Sequence, residues 1–326
     1  MEHPLVSIVV SSYNRPDMLQ KALSSVLEQS FQNIEVIVQD DSPGMECEAV
    51  VTSYNDPRIR YTHNRPSLGT GANLRAGYRK CTGKYFSTLN DDDLYGPGYL
   101  ERMVAILEAN PTYSMAFSDH YLIDGDGTVL QEASDNNSRH FGRATLPPGS
   151  VSDPIHSALI TMSVPGMFAL YRAEAMDLDD FPDEVSSGYD YWLVYLAVRS
   201  GQPIHYTPER LTSYRVHGGS QTASFQAPKE RMRSYNFAEY IDHRILADER
   251  VRSVWPDVRQ RLSQMHTSGG FANLRLNQRA EARQQFLLSI RNKATPRALA
   301  GLLLTAAPTF VLQRIFKKRY EPKPAE

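Results

Sequence analysis

Cysteine is scarce in these 326 residues: Cys47 and Cys81 are the only two, they do not form a close pair, and they lack the spacing of a zinc site. A disulfide scaffold is excluded and a reducing compartment is expected. Bulk charge is also lacking. There are 35 Lys and Arg against 37 Asp and Glu, so nothing marks a nucleic-acid partner. The opening MEHPLVSIVV has no basic start before an apolar stretch. No secretion signal is expected, and a cytoplasmic location is. The longest uncharged apolar run, 298–312, is interrupted at Pro308. It falls short of the about 20 residues a spanning helix needs. No Gly-x-Gly-x-x-Gly follows the first strand-like run, so there is no dinucleotide fingerprint. Internal repeats and low-complexity tracts are missing too.

What is present is a core. Hydrophobic residues make up 41% of the chain. Residues 5–11 (LVSIVVS) form a continuous apolar run, the mark of a strand buried on both faces of a parallel sheet, and 34–38 (IEVIV) read as a second buried strand. Between them Leu19, Ala22, Leu23, Val26 and Leu27 recur at helical spacing. Asn14 is placed to cap this helix and Pro16 suits its first turn. The alternation continues with strands at 58–62, 84–89, 113–118, 166–171 and 204–207, and helices at 74–81, near 100–107 and at 190–199. The fold class is therefore α/β, with a mostly parallel sheet flanked by helices. Residues 124–127 read as a hairpin turn, and 132–155, polar and rich in Gly and Pro, as a long mobile loop. From Pro228 the strand signals stop. The remainder reads as helical, with breaks near Pro256, Gly269-Gly270, Pro296 and Pro308. Two domains are expected, 1–222 and a helical extension 223–326. Charge divides there as well. The extension holds 19 Lys and Arg against 9 Asp and Glu, and the rest 16 against 28.

In open α/β sheets ligands bind beyond the carboxyl ends of the strands. The clusters Tyr13-Asn14-Arg15, Asp40-Asp41 and Asp91-Asp92-Asp93 all fall there. Three adjacent carboxylates repel one another. The triplet reads either as the holder of a hard divalent cation, Mg²⁺ or Mn²⁺, or as a solvated acidic turn with Asp93 capping the next helix. Asn73, in the glycine-rich turn 68–73, either faces a ligand or only completes the turn.

The segments SIVVSSYNRPDMLQKALSSVLEQSFQNIEVIVQDDSP, GKYFSTLNDDDLYGPGYL, GYDYWLVYLAVRSG and LTSYRVHGGSQ occur in that order. Together they resemble the family 2 glycosyltransferases of the GT-A fold. The resemblance implies an inverting enzyme that moves a sugar from a nucleotide sugar, UDP-linked, to an acceptor hydroxyl in polysaccharide or glycolipid synthesis. By the same resemblance Asp41 meets the base, and Tyr13 and Asn14 lie near base and ribose. Asp91 and Asp92 share the ribose and metal roles, because Asn90 stands where the family's Asp-X-Asp motif begins. Asp190 matches the general base, which must take the proton of a poorly nucleophilic alcohol. Its bland alternative is a helix N-cap. His217 is a second candidate metal ligand, and Arg215 could pair with a phosphate oxygen.

Two other readings stay open. A nucleotidyltransferase on a related fold would want a Gly- and Lys/Arg-rich loop where SSYNRPDM stands. A non-catalytic nucleotide-sugar-binding module would keep the pocket without the chemistry. Residues 298–316, apolar and followed by Lys317-Lys318-Arg319, read either as a helix on the cytoplasmic face of the membrane, suited to a lipid-linked acceptor, or as one packed on the catalytic domain.

Overall fold

The computed structural model describes residues 4–220 and 228–317. Two compact units divide the chain, Met1–His243 and Arg244–Glu326.

The first unit opens with β1 (Val6–Ser12), α1 (Pro16–Leu27), β2 (Ile34–Asp40), α2 (Glu46–Tyr54), β3 (Ile59–His63), α3 (Thr70–Tyr78) and β4 (Tyr85–Asn90). It continues with β5 (Leu94–Tyr95), α4 (Tyr99–Ala109), β6 (Met115–Ile123), α5 (Gln131–His140), β7 (Gly149–Ser150), α6 (Pro154–Leu159), β8 (Ala169–Arg172), α7 (Tyr189–Val198) and β9 (Ile204–Arg215). These strands form one mixed sheet in the order β3-β2-β1-β4-β8-β6-β9-β5, with β7 on β9. The first four strands in chain order, β1 to β4, run parallel, and β8 lies antiparallel between β4 and β6. Val6, Ile8 and Val10 of β1 pack with Leu19, Leu23 and Val26 of α1 and Leu100, Met103 and Leu107 of α4. Helices cover the sheet, so β1 and β2 are buried along nearly their whole length, with Ser7, Glu35 and Gln39 enclosed among the apolar residues.

Several expectations are corrected. Asn14 is not the cap of α1. It has a positive φ of 55°, a region Asn tolerates, and Arg15 takes the capping place without a side-chain cap bond. Residues 132–155 are not one long loop, because they contain most of α5, all of β7 and the start of α6. The inward residues of α5 are Ser134 and Ser138, whose hydroxyls serve buried hydrogen bonds, so the apolar periodicity that marks a helix is missing. A 3₁₀ turn, Gly166–Phe168, precedes β8 where a strand was expected.

Helix α8 (Pro228–Leu246) runs across the division of the units. The second unit then has α9 (Trp255–Arg275), α10 (Arg279–Asn292), α11 (Pro296–Leu304) and α12 (Thr309–Lys317) around Leu274, Ala282, Phe286 and Leu312. Gly269-Gly270 does not break α9. A Cβ on Gly270 would come within 2.7 Å of the Phe286 ring, so the glycine admits that ring. The apolar segment 298–316 is two helices parted at Pro308, and Arg279 Nη1 donates to the Ala307 carbonyl at that corner (2.7 Å). Residues 221–227 of the expected boundary, and Lys318-Arg319 of the basic end, lie outside the described residues. Among the described residues no helix is long and apolar enough to cross a membrane.

Candidate active site

Parallel pairing brings the carboxyl ends of β1, β2 and β4 to one edge: Ser12 sits opposite Asp40, and Ser11 opposite Asn90. The acidic triplet leaves β4 there, and its three carboxylates meet three different sets of partners. Asp91 Oδ2 accepts from Ser12 Oγ (3.2 Å) and the Tyr13 N–H (3.0 Å), and its Oδ1 accepts from Arg15 Nη1 (3.0 Å). Asp92 Oδ2 accepts from the same Arg15 Nη1 (2.6 Å) and lies 3.1 Å from His217 Nε2. Asp93 is fully buried and accepts from the Arg215 N–H (2.9 Å) and Asn90 Nδ2 (3.1 Å). Asp93 is thus no helix cap. The cap of α4 is Gly98.

Burial, reinforced by the neighbouring Asp92, pushes the Asp91 carboxyl up to about 7, against the pull of Arg15 and the Tyr13 N–H. Burial raises Asp93 as well, with Asp92 adding to it. Segregated carboxylates in a dry corner therefore favour either a proton or a cation. The donor types suit a divalent ion: two carboxylates and an imidazole. The position between the carboxylates is one that a cationic nitrogen already defines, that of Arg15. Around it, no group of three or more His, Cys, Asp or Glu is arranged to hold a metal among the described residues. Asp92 and His217 would hold the ion only with Arg15 withdrawn.

The other residues divide into front and support. Tyr13 is 57% exposed at the strand end, an uncovered aromatic face beside the acidic pair. The Asn14 N–H donates to Ser42 Oγ (2.7 Å), which joins the β1 and β2 ends. Asp41 is buried, and its oxygens accept from Asn64 Nδ2 (2.9 Å), Ser67 Oγ (2.9 Å), and the Leu68 and Gly69 N–H groups (3.0 and 2.7 Å). It orders the glycine-rich turn. Asn73 stands behind: it accepts from Asn64 Nδ2 (2.7 Å) and donates to the Gln39 carbonyl (3.0 Å). Arg215 is buried, and its guanidinium donates to the carbonyls of Asp92 (2.8 Å), Asp124 (2.9 Å) and Gly125 (3.0 Å). Here it braces the backbone of Asp92.

Asp190 lies in the first turn of α7, and the cap of that helix is Gly188. Two contacts and a hydrogen bond set its place. A Cβ on Gly166 would fall 2.3 Å from the Asp190 carbonyl oxygen, and one on Gly71 would fall 2.7 Å from that of Ser186. Only glycine lets the turn before β8 and the start of α3 approach so closely. The preceding residue, Tyr189, donates to Asn90 Oδ1 (2.7 Å) and so ties α7 to the acidic segment. Asp190 is half-buried, and burial holds its carboxyl above the usual carboxylate range.

Sequence reasoning placed Arg15 in the first polar cluster without giving it a role, and did not single out Ser12, Asn64, Ser67 or Tyr189. Arg15 was the legible one, since two buried adjacent carboxylates demand a countercharge and it is the cation in the facing cluster. Nothing local marks the others.

The profile of Glycosyl transferase family 2 matches residues 7–176. An uncharacterized glycosyltransferase of Rickettsia prowazekii is 29% identical over 222 residues, 67% of this chain and 66% of that protein. A putative colanic acid biosynthesis glycosyl transferase, WcaA of Escherichia coli, is 31% identical over 126 residues, 38% of this chain and 45% of its own. The match spans between 19% and 68% of the length of the curated relatives. Among solved structures, S. aureus TarS 1–349 in complex with UDP-GlcNAc superposes with a TM-score of 0.56 at 14% identity, over 97% of this chain and 93% of that one. That likeness shows a shared GT-A fold. With the profile matched across more than half of its length, the chain belongs to glycosyl transferase family 2.

Proposed function

We propose that this chain is an inverting glycosyltransferase that moves a sugar from a UDP-linked donor to an acceptor hydroxyl in polysaccharide or glycolipid synthesis. One observation carries the reading. Tyr13, Asp41, Asp91 and Asp92 converge on one sheet edge, and the Tyr189–Asn90 bond brings the helix of Asp190 to that edge. Tyr13 offers a stacking face to the base, and Asp41 accepts the imino N–H of uracil in exchange for one of its loop donors. Asn14 and Asp91 line the ribose side. Asp190, its proton affinity raised by burial, takes the acceptor proton as the hydroxyl attacks the anomeric carbon opposite the diphosphate. A divalent cation held by Asp92 and His217 and bordered by Asp91, when bound, would neutralise the departing diphosphate. Asp93, Arg215 and Asn73 hold these groups in place, which is what preorganisation requires. The TarS complex with UDP-GlcNAc supports the choice of uridine nucleotide.

The test is a melting-temperature screen of UDP, UDP-sugars and other nucleotide sugars with and without Mn²⁺, because a ligand of the folded state raises Tm by linkage. UDP-sugars should shift it, and Asp190→Asn should keep that shift while losing turnover. No shift with any nucleotide sugar would sink the reading.

Location belongs to the same proposal. Residues 244–326 hold 16 Lys and Arg against 6 Asp and Glu. Helices α11 and α12 expose Leu299, Leu303 and Phe310 near Arg297 and Arg314. An apolar, cationic surface suits the anionic cytoplasmic face of a membrane and hence a lipid-linked acceptor. Co-sedimentation with phosphatidylglycerol vesicles but not with phosphatidylcholine vesicles is expected. Equal recovery with both would refute it.

A further inference from the structure

We propose that Arg15 is a resident cation: in the donor-free protein it occupies the metal position between Asp91 and Asp92, and it yields that position when nucleotide and metal arrive together. This rests on reading the acidic pair as the metal and diphosphate site. One nitrogen, Nη1, reaches both carboxylates, at 3.0 and 2.6 Å. A single guanidinium nitrogen thus does what a bridging ion would do. The other terminal nitrogen, Nη2, donates to the Gly219 carbonyl (3.0 Å), so the group is also tied to the segment after β9 that carries His217. His217 Nε2 approaches the same Asp92 oxygen from its own side (3.1 Å). Asp92 Oδ2 is thereby engaged twice, and a metal ion alone would have to break charge-assisted bonds to enter.

Nucleotide changes that balance. A diphosphate gives a released guanidinium new acceptors of matching fork geometry, and the vacated carboxylates need a new cation. The exchange is charge for charge: metal onto the carboxylates, guanidinium onto phosphate. Metal and nucleotide then favour each other, and the coupling is reciprocal. Without nucleotide, Arg15 suppresses metal binding and shields two buried carboxylates from each other.

The experiment is Mn²⁺ binding by electron paramagnetic resonance, on the full chain without nucleotide, for wild type, Arg15→Met and Arg15→Lys. Arg15→Met should bind Mn²⁺ roughly tenfold more tightly than wild type, because the competing cation is gone. Arg15→Lys, which keeps a positive charge, should stay much nearer wild type. Mn²⁺ alone should raise the Tm of Arg15→Met more than that of wild type. Should Arg15→Met not fold, Arg15→Gln takes its place. Equal affinity in wild type and the neutral variant, or no binding by either, overturns the proposal, and so does equal tightening in Arg15→Lys. The UDP-induced melting shift of wild type is read separately. Its loss would sink the uridine-donor reading, while the nucleotide-free Mn²⁺ comparison still judges Arg15.

Discussion

Replacing Gly166 by alanine perturbs Asp190 without touching any group on the donor side. The added Cβ would stand 2.3 Å from the Asp190 carbonyl oxygen, 2.7 Å from its carbonyl carbon and 3.0 Å from its Cα. All three are backbone atoms at the start of a buried helix, so no side chain can swing aside. Restoring ordinary contact at 3.4 Å requires a shift of about 1 Å between the 3₁₀ turn and the first turn of α7. Overpacking of this kind costs about 1–3 kcal/mol of stability. A displacement of about 1 Å at a reacting group costs on the order of 10²-fold in rate. Asp41, Asp91, Asp92 and Arg15 stand on other elements, so donor binding should persist. Steady-state kinetics should show kcat down roughly a hundredfold with the donor KM within about threefold of wild type. The UDP-sugar melting shift should survive. Gly149→Ala is the control: its φ of +104° strains an alanine, but open space surrounds the Cβ, so Asp190 stays put. Wild-type kcat in folded Gly166→Ala would refute either the close contact or the assignment of Asp190 as the base.

Other perturbations separate the remaining roles. Tyr13→Ala removes an exposed ring, so Tm should hardly move, while the donor KM rises roughly tenfold if the ring stacks on the base; an unchanged KM would remove Tyr13 from the site. Asp190 must be ionised to act, and its pKa is raised, so kcat/KM should climb with pH through a limb above the usual carboxylate range. Between the unfolded pKa and the raised folded pKa the native state holds the extra proton, so this group's contribution to stability falls as pH rises. Asp190→Asn should therefore melt higher than wild type at pH 8 and not at pH 3, and calorimetry at the two pH values checks it. His120 runs the other way. Burial, helped by Arg143, lowers it to about 3, so the unfolded chain takes up a proton first as pH falls below 6.5. Stability should drop by roughly 1.4 kcal/mol per pH unit over that window, and His120→Gln should flatten the slope in urea titrations at pH 7 and 5.

How far the sequence could be read depended on where each residue's partners lie. The strands β1 and β2 announce themselves because both sheet faces are covered, so apolar residues dominate and few positions, such as Glu35 and Gln39, are large and polar. Helix α5 was illegible for the opposite reason: Ser134 and Ser138, which face inward, are polar and make buried hydrogen bonds. The convergence of Asp41 with the acidic triplet followed from strand polarity alone. The setting of Asp190 did not. Gly166, Gly71 and Asn90 fix it from positions 24, 119 and 100 residues away in sequence, and no local pattern links them.

Asn90 and the triplet show why four consecutive polar residues are not one cluster. At an effective dielectric of about 20, two unit charges 4 Å apart repel by about 4 kcal/mol, so three ionised neighbours could not share one buried site unaided. The fold separates them by direction. Asp91 turns to the end of β1, Asp92 to His217, and Asp93 to the N–H of Arg215, while Arg15 neutralises the one close pair, Asp91 and Asp92. Asn90 completes the separation, because it is the one member with both a donor and an acceptor. Its Nδ2 donates to Asp93 while its Oδ1 accepts from Tyr189. An aspartate there could accept from Tyr189 but could not donate to Asp93 while ionised, and it would add a fourth charge to the corner. The departure from the Asp-X-Asp pattern therefore supplies the donor that Asp93 needs while keeping the acceptor for Tyr189, and leaves Asp92 as the carboxylate that faces both a resident cation and an imidazole.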